Sequence, residues 1–463
     1  MRWFLSVSVI ALATVTYAPQ ASHAEGDDLA ESLRGRPAEL TVGSITSRNH
    51  VKPTAQAFPG FVLRGTVSEI TARDPRLLEA SANVRVMEAG VVEQLMRFTP
   101  VVTASLDTQL DIATGPDSLF RHESINDTIG KVAVSLPLYT GGQRTYSLKR
   151  AEELALAERY RFQAARDDVA IEAVGLWVEA WLSKREAVIV DDRLGRLKRL
   201  RTSLASRQTQ GFASASDVAR LDAEIAGARR SYNDVVAKGA KATARLGTLS
   251  GLPTRVSGEL PRLSRHLPAD KGQLVAMARR TNPNLQAAAA DYRASIHQQR
   301  ASYGRLLPRV DATAEYRYDM ERAPQTRHRD GFTFGLSLKV PLVDLATGAA
   351  NEADRARSDA ALAREAQSLN SMEIEIDSLW LDRQSLRANK QALDDEVAAR
   401  KRSADAARDR FSKGFGDLEE VIDAENALDD SRRAAVLSKG QAVMVEARLL
   451  AAAGTFKVAM LGQ

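Results

Sequence analysis

Between Val310 and Val340 the chain alternates. Val310, Ala312, Ala314, Tyr316 and Tyr318 interleave with Asp311, Thr313, Glu315, Arg317 and Asp319. After a polar loop, Phe332, Phe334, Leu336, Leu338 and Val340 interleave with Thr333, Gly335, Ser337 and Lys339. Strand side chains point alternately to two faces, so the spacing predicts a β-hairpin with one apolar and one polar, charged face. A half-buried soluble hairpin would alternate too. Strands of about ten residues, with Tyr316, Tyr318, Phe332 and Phe334 beside the loop, fit a membrane-spanning strand pair with an interfacial aromatic girdle.

An earlier segment does the same. Val102, Ala104, Leu106, Leu110 and Ile112 alternate with Thr103, Ser105, Asp107, Gln109 and Asp111. Val132, Val134, Leu136 and Leu138 alternate with Lys131, Ala133 and Ser135. The wet face of the four strands carries Asp107, Asp111, Lys131, Asp311, Glu315, Arg317, Asp319 and Lys339, the candidates for lining a pore.

After each hairpin the period changes. Positions 148, 155, 162, 169, 176, 183, 190, 197 and 204 are Leu, Ala, Phe, Val, Leu, Ser, Val, Leu and Leu, a seven-residue seam interrupted only by Ser183. Met372, Leu379, Leu386 and Leu393 repeat it later. Such periodicity predicts long coiled-coil helices. Glycine turns, Gly211 to Asp217 and Gly414-Phe-Gly-Asp417, end them, and shorter return helices follow. A single helix over about 66–97, with Asp74-Pro75 inside it, precedes the first hairpin.

The whole order occurs twice. Pro75 and Pro283 are 208 residues apart, as are Pro100 and Pro308, while Trp177/Trp380, Gly211/Gly414 and Gly251/Gly454 are 203 apart. An offset this steady marks a duplication, and its small drop falls in the strand–loop–strand segment, where length changes are tolerated. The organisation expected is a first unit at 66–250, a linker at 251–270, a second unit at 271–456 and a tail at 457–463. The fold class is mainly α with transmembrane β: a long antiparallel helical coiled coil plus four strands per chain. An outgoing helix of ~60 residues extends ~90–100 Å, and a return helix covers only half of it, so the helix before each hairpin stacks end-on to fill the gap. Four strands cannot close a barrel, for which about eight is the practical minimum, so copies of the chain must complete it.

Composition narrows the function. The 463 residues include no cysteine, which excludes disulfides, thiolate metal sites and a cysteine nucleophile. Residues 1–24 read as a cleaved export signal: Arg2, an apolar run from Trp3 to about Ala18, Pro19, then Ser22-His23-Ala24. A polar arm at 25–65 has no assigned role. No later stretch has the ~18 uninterrupted apolar residues of a spanning helix, so any membrane crossing is a closed β-barrel. The net charge of +5 comes from interleaved signs, and aromatics are 5% of residues, which together argue against nucleic acid. The six histidines show no ligand spacing, and no phosphate loop, nucleophile elbow or zincin pair occurs, so neither catalysis nor a cofactor or metal is expected. Asp191-Asp192, Asp394-Asp395 and Asp429-Asp430 read as solvated helix faces, and Arg322, Arg327, His328 and Arg329 as an outer loop near anionic headgroups.

The strand ends Leu307-Pro308, Leu136-Pro137-Leu138-Tyr139-Thr140-Gly141-Gly142 and Val340-Pro341-Leu342-Val343-Asp344, with the turns before Asp217-Val218 and Val421-Ile422-Asp423-Ala424, carry a family pattern. Across about 66–456 the chain resembles the TolC family of outer-membrane efflux and secretion channels. The resemblance implies a homotrimer with twelve strands in the outer membrane and a helical tunnel through the periplasm. It implies a periplasmic adaptor and an inner-membrane transporter, of the RND or ABC type, docking at the glycine-turn tip. A periplasmic coiled-coil adaptor is the other reading of the helices, but it needs no amphipathic strands. The resemblance also makes Glu420 and Asp423 the acidic rings of a periplasmic gate. Both lie on one face of the helix, although Asp417 to Glu420 also reads as a capping box. Gly211, Ser216, Asp217, Gly414 and Gly416 form the tip turns and a possible latch. The latch departs from the family: Phe411 and Gly416 stand where relatives carry tyrosine and arginine, leaving Lys413 or Arg410 as substitutes. For Asp217, helix capping explains the residue equally well.

Overall fold

A computed structural model describes residues 63–112, 124–210, 213–319 and 331–461. The leader, the polar arm up to residue 62, Gly211 and the basic loop at 320–330 lie outside the described residues, and residues 63–65, expected in the arm, begin the first helix.

The first helical segment is two helices, α1 (Leu63–Arg73) and α2 (Pro75–Met96), where the sequence pattern predicts one. Pro75 cannot donate to the preceding turn, so the helix restarts there. Asp74 caps the restart, accepting from the Arg76 backbone N–H at 2.9 Å. Strands β1 (Val101–Ile112) and β2 (Ser124–Thr140) lead into α3 (Gln143–Thr209), of 67 residues, and the return helix α4 (Ala215–Ser250). Then come α5 (Lys271–Thr281), α6 (Pro283–Tyr303), β3 (Arg309–Asp319), β4 (Gly331–Lys339), α7 (Leu345–Ser412), of 68 residues, and α8 (Leu418–Ala452).

The helices form four columns. At 1.5 Å per residue, α3 and α7 each run ~100 Å. In the half near the sheet, α2 and α6 flank α3, and α6 also packs on α7. In the far half α4 and α8 flank α3, and α8 packs on α7. The shorter helices meet end to end as the lengths require. Arg73 donates to the Ser250 carbonyl at 3.1 Å, and Asn282 donates to Ala452 at 2.8 Å. These bonds satisfy carbonyls that a helix end leaves bare. At the second junction Gly454 has φ +66°, and a Cβ there would lie 2.0 Å from the Thr281 oxygen, so no other residue fits.

The predicted seam is buried at Ala155, Val169, Val190, Leu197 and Leu204. Ser183 is buried too, 3% exposed, because Gly239 of α4 comes so close that a Cβ on it would lie 3.0 Å from that of Ser183. A small residue is what this crossing needs.

The strands form one antiparallel sheet in the order β1-β2-β3-β4, whose β2–β3 ladder joins the two repeats. Val102, Val134, Ala314 and Phe334 stand in one register row, and Ala104, Val132, Tyr316 and Phe332 in the next. This is the apolar face. Phe332, Phe334, Leu336 and Leu338 lie bare on it, Phe334 at 79% exposure. Tyr316 and Phe332 pack with ring centroids 4.8 Å apart. A β-bulge between Pro137 and Tyr139 makes one correction to strict alternation: Tyr139, opposite Val310, joins the apolar face, and Leu138 is the extra residue. None of the described helices is long and apolar enough to cross a membrane.

Candidate functional site

Two regions collect the residues singled out by the sequence. On the sheet, the register places Ser105, Lys131 and Arg317 in one row of the polar face, with Thr103, Ala133, Glu315 and Thr333 in the next. Asp107 faces Ile129, which in turn faces Asp319. Asp107 pairs with Lys131 at 3.1 Å, and Asp311 with Arg309 at 2.7 Å. Lys339 lies opposite Arg309. Asp111 is paired through its backbone with Ile125; the side chains of Asp111 and Asp319 lie outside the described residues. All eight candidates therefore occupy one face by backbone register, because two-residue periodicity fixes the face of a whole strand at once.

The second region is the far end of the helices. Gly414 adopts φ +84° to turn the chain after α7. A Cβ at Gly416 would lie 2.9 Å from the Phe411 nitrogen, so this tight turn excludes an arginine. Glu420 takes an ion pair from Arg410, and Glu419 one from Arg220 at 3.1 Å. The Arg220 hydrogen bond holds the Glu419 carboxyl below the usual range. Asp423 is exposed one turn beyond. The capping box expected at Asp417 to Glu420 is not formed: Asp417 stands at the N-cap without a side-chain bond, while Glu420 is held by Arg410. The box forms instead at the other turn, where Ser214 caps α4 and exchanges bonds with Asp217 at 3.1 Å. Ser216 bonds only to Ser214 among the contacts described.

Of the proposed substitutes for the latch, Arg410 serves its own hairpin and Lys413 pairs with Asp409 of its own helix at 2.7 Å. The ties between the two repeats are other residues. Arg207, at the end of α3, donates to the carbonyls of Phe411 at 2.8 Å and Ser412 at 2.5 Å, and its guanidinium lies 4.9 Å from the Phe411 ring centre. Arg220 to Glu419 is the second tie.

A third tie is buried. Arg196 of α3 reaches Glu425 at 2.6 Å and Asp429 at 2.7 Å; Arg408 of α7 reaches Glu425 at 2.9 Å; Arg193 reaches Glu224 of α4 at 2.9 Å. Glu425 and Asp429 are 2% and 1% exposed. Asp429 is thus not on a solvated face, unlike its neighbour Asp430, which is exposed. Burial raises the Asp429 pKa, against the pull of Arg196 and Arg193. The network joins all four helices of the far half. Its only trace in the sequence is acidic residues at positions 425 and 429, four apart and so on one helix face.

The model of the family "Outer membrane efflux protein" matches residues 66–252 and 274–455. The chain belongs to this family. Its relatives include the outer membrane efflux protein BepC of Brucella suis, 23% identical over 430 residues, covering 88% of this chain and 89% of BepC. The outer-membrane channel OprN has the same fold at a TM-score of 0.76, with 21% identity, 85% of this chain and 90% of OprN covered. VceC of Vibrio cholerae superposes at 0.74, with 17% identity, 85% of this chain and 96% of VceC covered. The protein is an outer-membrane efflux protein by family, and it shares the fold of the solved outer-membrane channel OprN.

Proposed function

We propose that three copies of this chain form a closed duct that exports substrates across the periplasm and outer membrane. A periplasmic adaptor protein and an RND or ABC-type inner-membrane transporter complete the machine. The observation that carries this reading is a pair of unfinished edges. On one side lie β1 and α2, with Leu78, Val86 and Val92 bare; on the other lie β4 and α7, with Leu342, Val343, Ile374 and Leu381 bare. Unpaired strand edges beside apolar surface are stable in a bilayer only if another chain closes them. Three chains bring twelve strands, and the apolar face meets lipid while the face with Asp107, Lys131, Asp311, Glu315, Arg317 and Lys339 lines the pore. The detergent-solubilised protein is expected at the mass of three chains; a dimer overturns the twelve-strand duct.

The glycine-turn end is the periplasmic tip, where Glu420 and Asp423 form the gate. Rings of carboxylates on a narrow axis bind cations and repel anions. Replacing both by alanine should weaken cation selectivity and multivalent-cation block in planar bilayers, and unchanged selectivity removes the assignment. Cargo is read by deletion: lost resistance to dyes and antibiotics indicates drug efflux, whereas missing supernatant proteins indicate a type I protein exporter.

A further inference from the structure

The chain passes between helix and sheet four times, and each crossing carries a cation. Arg97 precedes β1, Arg144 follows β2, Arg309 opens β3 and Lys339 closes β4. They are gathered, not merely repeated. Arg144 donates to the Arg97 carbonyl, and its nearest charges include Arg309 and Asp311. Arg309 and Lys339 are register partners on the polar face. The crossings themselves are close: a Cβ on Gly141 would lie 2.3 Å from the Gly304 oxygen, so the backbones of the β2 and β3 crossings touch. Two carboxylates lie among these cations, Glu93 on Arg97 at 2.8 Å and Asp311 on Arg309 at 2.7 Å. With Arg305 and Asp344, which sit in the same crossings, five cations face three carboxylates, a surplus of two positive charges per chain.

We propose that this band, at the junction of barrel and tunnel, is a binding site for multivalent anions in transit, a filter opposite in sign to the acidic tip. It rests on the channel reading, which places the polar strand face in the lumen. In a ring of three the surplus is concentrated at one level. Like charges held together in a confined aqueous passage raise the local concentration of counter-ions. Burial lowers the Arg144 pKa, and Arg309 and Arg97 add to that, against the pull of Asp311. Asp107 pairs with Lys131 nearer the outer end, so the surplus belongs to the junction rather than to the whole strand face. Guanidinium groups suit phosphate and carboxylate oxygens. The cargo favoured here is a soluble solute bearing such groups.

The test is single-channel recording in planar bilayers, with inorganic pyrophosphate added as the probe in 0.1 M KCl. The full-length channel should be blocked by pyrophosphate, and block should vanish in 1 M KCl, where the screening length falls to ~3 Å. In the double variant Arg309→Gln, Lys339→Gln the half-blocking concentration should rise about tenfold, and the chloride-to-potassium permeability ratio should fall. Lys339→Gln alone keeps the Arg309–Asp311 pair, alters one exposed side chain, and should give about a threefold rise. Half-block equal in bilayers with and without anionic lipid assigns the band to soluble anions; block that appears only without anionic lipid means headgroups fill it, and overturns the proposal. A conducting variant with unchanged block and permeability also overturns it while leaving the channel intact. A wild-type protein that never conducts overturns the channel reading and this inference together.

Discussion

The two long helices descend from one ancestral segment yet live in different surroundings. Along its middle α3 buries Val169, Ala170, Ala173, Val174, Trp177, Val178 and Trp181, with neighbours on both flanks. Over the matching stretch α7 buries one stripe, Met372, Ile376, Leu379 and Trp380, and leaves Ile374 at 70% and Leu381 at 65% exposure. The difference shows that duplication copied a helix but not its environment. The first copy became the centre of the chain and the second its edge. An apolar edge this long marks a surface meant for another protein chain.

The sharpest way to test that contrast is to cut the same residue in both copies. Trp177→Ala should cost about 3–5 kcal/mol, because the indole is 1% exposed in a packed core. Trp380→Ala should cost less, since the edge helix can relax around the gap; thermal unfolding in detergent ranks the two, and equal losses erase the contrast. Asp429→Ala comes next, leaving Arg196 buried beside an unbalanced site at a cost of about 3 kcal/mol, against less than ~0.5 kcal/mol for exposed Asp430→Ala. Ile374→Glu with Leu381→Glu should leave the helical content unchanged while the proposed trimer falls apart on sizing in detergent. A trimer that persists would mean this edge faces solvent.

The smallest effect is titratable. Burial, with Asp168 beside it and Arg166 opposing, raises the Asp167 pKa on α3 from 3.8 to about 6. A raised carboxyl favours the fold while protonated, at pH below the unfolded value near 3.8, and that advantage is lost as pH rises through about 6. Asp167→Asn should therefore raise stability at pH 7.5 by on the order of 1 kcal/mol, discounted for partial exposure, and change nothing at pH 3.

Much of the architecture was legible because it is periodic. Alternation fixed the strand faces, the heptad fixed α3, and an offset that shifts only from 208 to 203 residues marks the duplication. What escaped depends on partners distant in sequence. The bulge after Pro137 exists only relative to β3, so alternation within one strand misplaced Leu138. Ser183 reads as a flaw until Gly239 is set against it. Asp429 and Asp430 are adjacent in sequence but on different helix faces, and the arginine that explains one of them, Arg196, lies 233 residues away. The Asp74-Pro75 break was different: an aspartate before a proline is the signature of a helix start, and it was available locally.

The β2–β3 ladder carries a consequence for how such a ring is built. It joins the second strand of one repeat to the first strand of the next, antiparallel, within one chain. Closing the ring asks β4 to meet β1 of a neighbouring chain, which is the same joint made without a covalent link. A ring of three chains thus holds six seams of one kind, three tethered and three free. The tethered seams come preassembled, so the entropy of bringing partners together is met only at the free ones. Gene duplication, on this view, halved the number of encounters needed to build the duct, and let the two sides of each subunit diverge.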